Sequence, residues 1–268
     1  MMLEERYFLE IESFSHDREP EIELVYAIEV HDFEIKKDQI IFKNCLNSKI
    51  LCEMTELNLL KRSKKAIGYS FCLNSRLYDH QRCISDYLGF SYEFNYTESD
   101  LIIYDSRDNE CEEDEHQSLR EKVDFFLKQK QFLKLYLENK ILLKQWFDLN
   151  EFDKECWLIA SHKVAVNRQM IERMPQVSHI ILDGHYIHSE SDLYCAIGEE
   201  VCGIFGYMGY TSSALRDCLT NDDLRPIHCS LTITWKNFKS SEQNFNCMDD
   251  LNYLVQFLKE YSNLKIEL

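Results

Sequence analysis

The sequence predicts two domains of different class. Residues 176–268 read as an α/β domain, a small parallel sheet with helices packed on it, and residues 1–175 as a strand-rich α+β domain. Three observations carry this reading. From residue 179 onward, β-branched and aromatic runs alternate with helical patterns, the order that builds parallel βαβ units. Residues 6–104 are mostly extended in character. Between the two, composition changes after Pro175, and five of the seven glycines fall between 184 and 209. The domain boundary is therefore placed near residue 176.

In the first domain, residues 7–11, 24–30, 39–42 and 66–73 combine β-branched and aromatic residues with partial period-two alternation and read as strands. Asn47, Asn74 and Ser75 supply turn chemistry between them. Residues 105–117 hold seven acids against one Arg and read as a solvated acidic loop. Residues 118–147 place Val123, Phe126, Leu127, Leu133, Leu137, Ile141 and Phe147 at helical spacing, so one long helix is expected, its apolar stripe serving as core. Residues 157–166 read as a strand and 168–173 as a short helix closed by Pro175.

The second domain reads strand 179–182, helix 189–201, a glycine loop, helix 212–220, strand 227–235, helix 249–261 and strand 264–268. Ser189, with Asp192 three residues on, makes a helix N-terminal cap with a reciprocal acid.

Composition limits the function classes. With 45% hydrophobic residues over 268 positions, the chain supports a packed core. No run approaches the ~20 apolar residues of a membrane span. The start, Met-Met-Leu-Glu-Glu-Arg, has acids where a secretory leader has a basic region and an apolar run, which points to the cytoplasm. Eleven cysteines without a Cys-x-x-Cys pair suit buried free thiols better than a disulfide framework. The net charge of −17 argues against direct nucleic-acid binding, which needs a basic surface. It suits either simple solubility or steering of a basic partner.

Residues 203–219 carry the most information. Gly203, Gly206 and Gly209 lead into Thr211, Ser212 and Ser213, a hydroxyl-rich helix start, and then to Asp217. A glycine turn before a helix N-terminus is an anion-binding arrangement, yet this spacing is neither the dinucleotide fingerprint nor a P-loop, which needs Lys at its end. A structural turn is the simpler reading, and the surrounding acids suit imitation of a phosphate chain better than binding one. His185 and His188 near Asp183, and His80 with Cys83, lack the second pair that structural zinc sites show. Neither Gly-x-Ser-x-Gly nor His-Glu-x-x-His is present, and Ser161-His162 falls on an expected strand, where adjacent side chains diverge. Asp217 stands out by its company: Tyr207 and Gly209 before it, Asp222 and Asp223 after it.

These residues resemble the barstar family of ribonuclease inhibitors over about the last third of the chain. Ile181-Leu182-Asp183-Gly184 followed by Ile187-His188-Ser189-Glu190-Ser191-Asp192-Leu193 is similar to the family's first strand and helix start. Tyr207-Met208-Gly209 resembles its Tyr-x-Gly loop. Ala214-Leu215-Arg216-Asp217-Cys218-Leu219-Thr220 resembles its Ala-Leu-x-Asp-Cys-Leu-Thr helix, and Leu231-Thr232-Ile233-Thr234-Trp235 its central strand. The resemblance implies a three-stranded parallel sheet flanked by helices. It also implies a surface that plugs a ribonuclease active site, with Asp217 as the dominant acid and Tyr207 and Gly209 beside it. The family's second helix acid falls at Ser213, its loop Asn at Thr211 and its interface Trp at Arg216. A further family acid falls at Gln256 or near Glu260, the stretch 240–248 leaving the register open.

The resulting expectation is a cytoplasmic immunity protein that occludes the active site of a basic toxin, a ribonuclease by resemblance, with no cofactor and no catalysis of its own. Its partner-binding residues are Tyr207, Gly209, Ser213, Arg216, Asp217 and Glu260. The alternative is a regulatory or scaffold protein that reuses the fold without inhibiting anything. A more distant alternative is a nucleotide-using enzyme built on the glycine loop. Arg216 beside Asp217 further suggests a partner that offers a carboxylate or an aromatic face to the cation while its own cations meet Asp217.

Overall fold

A computed structural model of the chain describes residues 4–15, 22–30, 33–36, 39–44, 67–79, 82–90, 94–96, 101–104, 119–169, 177–220 and 231–268. The chain divides into two compact units, Met1–Leu127 and Lys128–Leu268. Among its described residues the first holds two antiparallel four-stranded sheets. In one, β1 (Glu4–Ser15) pairs with β2 (Ile22–Val30) and β5 (Ile67–Asp79), and β5 with β6 (Arg82–Phe90), in the order β2-β1-β5-β6. In the other, β3 (Phe33–Lys36), β4 (Gln39–Phe42), β7 (Phe94–Tyr96) and β8 (Leu101–Tyr104) take the order β3-β4-β8-β7.

The expected strands at 7–11, 24–30 and 39–42 lie in β1, β2 and β4, and that at 66–73 lies in β5 from Ile67 on, Ala66 falling outside the described residues. Along β4, Ile40, Ile41 and Phe42 are all buried, so alternation is lost where both faces are covered. Asn74 and Ser75 are not a turn. They sit inside β5, Asn74 opposite Phe8 on one side and Tyr87 on the other, because two ladders outweigh the turn preference of a single residue. Cys83 lies on the strand β6. Asn47, His80 and the acidic stretch 105–117 fall outside the described residues.

The expected helix 118–147 ends ten residues early, as α1 (Leu119–Leu137). Asn139 takes a left-handed φ of 55°, and Lys140 N–H reaches back to Leu135 O while Asn139 N–H bonds Tyr136 O. This is the Schellman arrangement, which satisfies the last carbonyls and turns the chain out of the helix. A short 3-10 turn, Gln145–Asp148, follows and buries Trp146.

Residues 157–166 are not a strand. They belong to α2 (Glu151–Gln169), with Lys154, Cys156, Trp157, Leu158, Ala160, Ser161, Val164 and Ala165 buried on its inner side. Asn150 Oδ1 accepts the Asp153 N–H at 2.9 Å, an N-terminal cap that announces a helix. The apolar run alone is ambiguous, because a short buried helix and a buried strand look alike. Arg168 is in the same helix, whereas 170–176, Pro175 included, lie outside the described residues.

From residue 179 the expected alternation is present. β9 (His179–Asp183), β10 (Thr232–Lys236) and β11 (Asn263–Ile266) form a three-stranded parallel sheet in the order β11-β10-β9. Parallel neighbours need long crossovers. These are supplied by α3 (Glu190–Cys202) and α4 (Ser212–Thr220) between β9 and β10, and by α5 (Phe238–Asn244) and α6 (Met248–Tyr261) between β10 and β11. Ile180, Leu182, Ile233 and Trp235 of the sheet and Leu193, Ile197, Leu215, Leu254 and Leu258 of the helices are buried. Ser189 caps α3 by accepting the Asp192 N–H, as expected. The Asp192 carboxylate accepts from His188 N–H instead of closing the reciprocal box. Helix α5 was not foreseen in the stretch 240–248. No helix among the described residues is long and apolar enough to cross a membrane.

The compositional change at residue 176 is not where the chain divides. The end of α1 and all of α2 belong with the sheet of β9–β11. Trp157 packs edge-on against Phe205 at 4.6 Å, and Tyr136 stacks on Phe205 at 5.5 Å. Lys154, nearly fully buried, meets Asp192 at 2.7 Å, an ion pair between α2 and α3. Burial pulls the Lys154 ammonium down, but its hydrogen bonds to Asp192 and Glu151 outweigh that and raise it.

Two outcomes follow. Lys154→Met leaves the Asp192 charge buried without its partner and is expected to cost about 3–5 kcal/mol, measured by urea unfolding. Residues 119–268 are expected to melt cooperatively, whereas 177–268 alone expose Phe205 and lose the transition. A cooperative melt for the shorter piece would restore the boundary at 176.

Candidate partner-binding surface

The glycine loop is built by close backbone approaches. A Cβ at Gly206 would lie 2.2 Å from Gly198 O, so only glycine lets the loop rest on the backbone of α3. Gly209 has φ 117°, a value L side chains rarely adopt, and a Cβ there would lie 2.4 Å from Leu215 N. The expected role of Gly209 is therefore first of all to bring the loop against α4. Thr211 Oγ1 accepts the Ala214 N–H at 3.2 Å and caps α4. This gives the hydroxyl-rich start a local purpose.

Tyr207 is half-buried, and its ring lies 4.6 Å from that of His162 on α2. The exposed Tyr210 completes a three-ring cluster, 6.3 Å from each. Burial, then Cys218 and Tyr210, push the Tyr207 phenol well above its ordinary range, so it remains a neutral donor. Burial lowers His162 below its ordinary value of 6.5, with Lys163 adding to the effect.

Helix α4 presents Ser213, Arg216 and Asp217 to solvent and buries Leu215 and Leu219. The Asp217 carboxylate is 59% exposed and lies 3.4 Å from the Arg216 guanidinium. At about 100° per residue, Asp217 occupies the ridge between Cys218 on one flank and Ser213 and Arg216 on the other. That second flank forms one wall of an open groove of ≈ 200 Å³, with Tyr253, Gln256, Glu260 and Tyr261 of α6 among the residues opposite. Both register alternatives for the last-helix contact, Gln256 and Glu260, face the groove, being one helical turn apart.

Four expected residues thus share the groove: Ser213, Arg216, Gln256 and Glu260. Asp217 borders it. Tyr207 and Gly209 belong to the neighbouring loop. The sequence reading missed His162 and Tyr210 next to Tyr207, and Tyr253 and Tyr261 in the groove. Tyr253, Phe257 and Tyr261 recur every fourth residue with ring centroids 6.3 and 4.9 Å apart, a spacing visible in the sequence. His162 had no such signal, since its neighbourhood depends on α2 being a helix.

The other candidates have structural roles. Ser161 donates to Leu158 O at 2.8 Å within α2. Asp183 accepts from His185 Nδ1 at 2.9 Å and from Asn237 Nδ2 at 3.0 Å, tying β9 to β10 beyond the sheet. His185 and His188 sit in and just after a 3-10 turn, and the His188 ring packs on Phe147. Among the described residues no cluster of His, Cys, Asp or Glu is arranged to hold a metal ion. Cys218 is pushed up to about 11 by burial and then by Asp217, which keeps it a thiol at neutral pH.

The loop, α4 and α6 of the α/β unit thus carry two neighbouring groups of side chains, the ring cluster around Tyr207 and the groove of Ser213, Arg216, Gln256 and Glu260. Comparison with known proteins finds no family model and no curated protein that matches the chain.

Gly209→Ala is expected to destabilise the fold by about 1–3 kcal/mol through backbone strain, with a lower denaturation midpoint as the readout. For His162 the sign is set by its lowered value: as pH falls below about 6.5 the unfolded chain takes the proton first, so stability is lost from there down through the depressed folded value. Above that window the contribution is complete. Urea titrations from about pH 7.5 to about pH 5 should show a shallower loss in His162→Gln than in the natural chain.

Proposed function

We propose that this protein is an immunity-type inhibitor that binds a basic protein toxin and covers its active site. The barstar-like motifs name a ribonuclease as the first class to test. The observation that carries the reading is the position of Asp217. A carboxylate stands 59% exposed on a ridge of a rigidly capped helix, between a loop aromatic and a groove ending in Glu260. A solvated carboxylate fixed in this way suits the cations that an enzyme uses to hold phosphate. The cytoplasm, where an immunity protein meets its toxin, is the matching location. The second reading, a regulatory or scaffold protein using the same surface, draws on the same geometry and differs only in whether a partner's activity is lost.

The acidic balance is unevenly divided between the two units. Met1–Leu127 carries 28 acids against 15 basic residues, and Lys128–Leu268 carries 19 against 15. Most of the −17 belongs to the first unit, so long-range attraction and local recognition are supplied by different parts of the chain.

The experiment is capture of partners on the immobilised full chain, followed by RNA-cleavage assays of each captured basic protein with and without added chain. Loss of ribonuclease activity supports the inhibitor. A stable partner whose activity is untouched supports the scaffold. Asp217→Ala is expected to speed dissociation at least about tenfold with a smaller change in association rate. Association itself should slow as salt rises, since the Debye length falls from about 10 Å at 0.1 M to about 3 Å at 1 M. An on-rate indifferent to salt assigns the acidity to solubility alone.

A further inference from the structure

Among the described residues, and leaving aside the C-terminal Leu268, the two most exposed large apolar side chains are neighbours: Leu142 at 69% and Leu143 at 64%. They form the tip of the connection between α1 and the 3-10 turn, and that connection is firmly held. Leu142 N–H donates to Gln145 Oε1 at 3.0 Å, and Lys144 N–H donates to both oxygens of the buried Glu199. Ile141 and Trp146, on either side, are buried. Asn139 and Lys144 take left-handed φ values of 55° and 56°, which disfavour residues with a Cβ. An anchored turn thus projects two leucines into solvent, where polar side chains would fit the same backbone.

The charge around this tip is opposite in sign to that of the chain. Residues 128–144 hold five lysines and one acid, in a sequence of net charge −17. Lys128 is turned to Asp153 and Lys130 is buried, which leaves Lys134, Lys140 and Lys144 near the leucines. Lys134 lies in the last turn of α1, and Lys140 N–H bonds back to Leu135 O beside it. Lys144 Nζ lies 4.0 Å from the centre of the Tyr186 ring. Two acids offset part of this charge: Glu138, 2.7 Å from Lys140, and Glu200, which shares a small recess with Lys144.

Two side chains at a turn fall far short of the about 800 Å² per partner that a stable protein interface buries. A bilayer surface asks for no matching relief. It takes apolar tips among its acyl chains, lysines at its phosphates and tyrosines at the boundary between them. We propose that the 140–144 turn is a membrane-surface contact, with Leu142 and Leu143 dipping into an anionic bilayer and Lys134, Lys140 and Lys144 at its headgroups. The leucines supply most of the grip, and the lysines give a modest preference for anionic lipid. Repulsion from the acidic remainder of the chain is confined to acids close to the tip, since the Debye length at physiological salt is about 8 Å. One small anchor binds reversibly, so the turn holds the protein at a surface transiently. It lies outside the barstar-like segment and does not depend on the inhibitor reading.

The test uses the full chain and extruded vesicles, one set of phosphatidylcholine alone and one with about 30% phosphatidylserine, measured by co-sedimentation. The natural chain is expected to partition onto the mixed vesicles and more weakly onto phosphatidylcholine. Leu142→Ser with Leu143→Ser should lower partitioning onto the mixed vesicles at least about tenfold. Lys134→Gln alone should lower it about fivefold, the share of one lysine at an anionic surface, and leave phosphatidylcholine binding unchanged. All three positions are exposed, and matching thermal melts establish that the variants are folded. Absence of binding to either vesicle would overturn the proposal and leave the leucine pair to a protein partner. Binding that survives the serine substitutions, or that ignores both phosphatidylserine and Lys134, would overturn it equally.

Discussion

Two buried carboxylates on α3 hold the larger part of this molecule together. Asp192 takes the ammonium of Lys154 at 2.7 Å. Glu199, two turns further along, accepts the Trp146 indole N–H at 3.0 Å and the Lys144 backbone N–H with both oxygens. A carboxylate in a protein interior is tolerated only when its lone pairs are met. Apart from the His188 N–H that Asp192 also accepts, these donors come from residues 144–154, well before the sheet begins. The β9–β11 sheet and its helices are therefore not a module to which something has been added. Their first crossover helix requires α2 and the turn before it.

This dependence explains what could be read from the sequence and what could not. The alternation after residue 179, the cap at Ser189 and the amphipathic α4 and α6 were legible, because each rests on local spacing. Helix α4 was placed to the residue, at 212–220. The division at 127/128 was not recoverable, and the boundary was set at 176 instead. Composition changes there, whereas the packing of Trp157 and Tyr136 on Phe205 is a long-range fact with no local mark. The strand assigned to 157–166 failed for a related reason: a helix buried along one side and closed by small residues such as Ala160 and Ser161 loses its polar punctuation. The cap at Asn150 and Asp153 was the available correction.

The site divides in the same way. Asp217, Ser213 and Arg216 were legible as one helix face, and Gln256 with Glu260 as another. That these faces meet across a groove follows from the sheet order, which places their helices side by side, and no spacing rule reports it. His162 beneath Tyr207 shows the same limit from the other direction.

Along α4 and α6 the exposed positions 213, 216, 217, 256 and 260 are interleaved with the buried leucines 215, 219, 254 and 258. Exposed substitutions away from caps and networks usually change stability by less than about 0.5 kcal/mol. Recognition and folding are thus written on separate letters of the same two helices. A lineage carrying this fold can exchange its binding chemistry repeatedly while its core stays still, so its descendants would keep the leucines long after they had ceased to share a target.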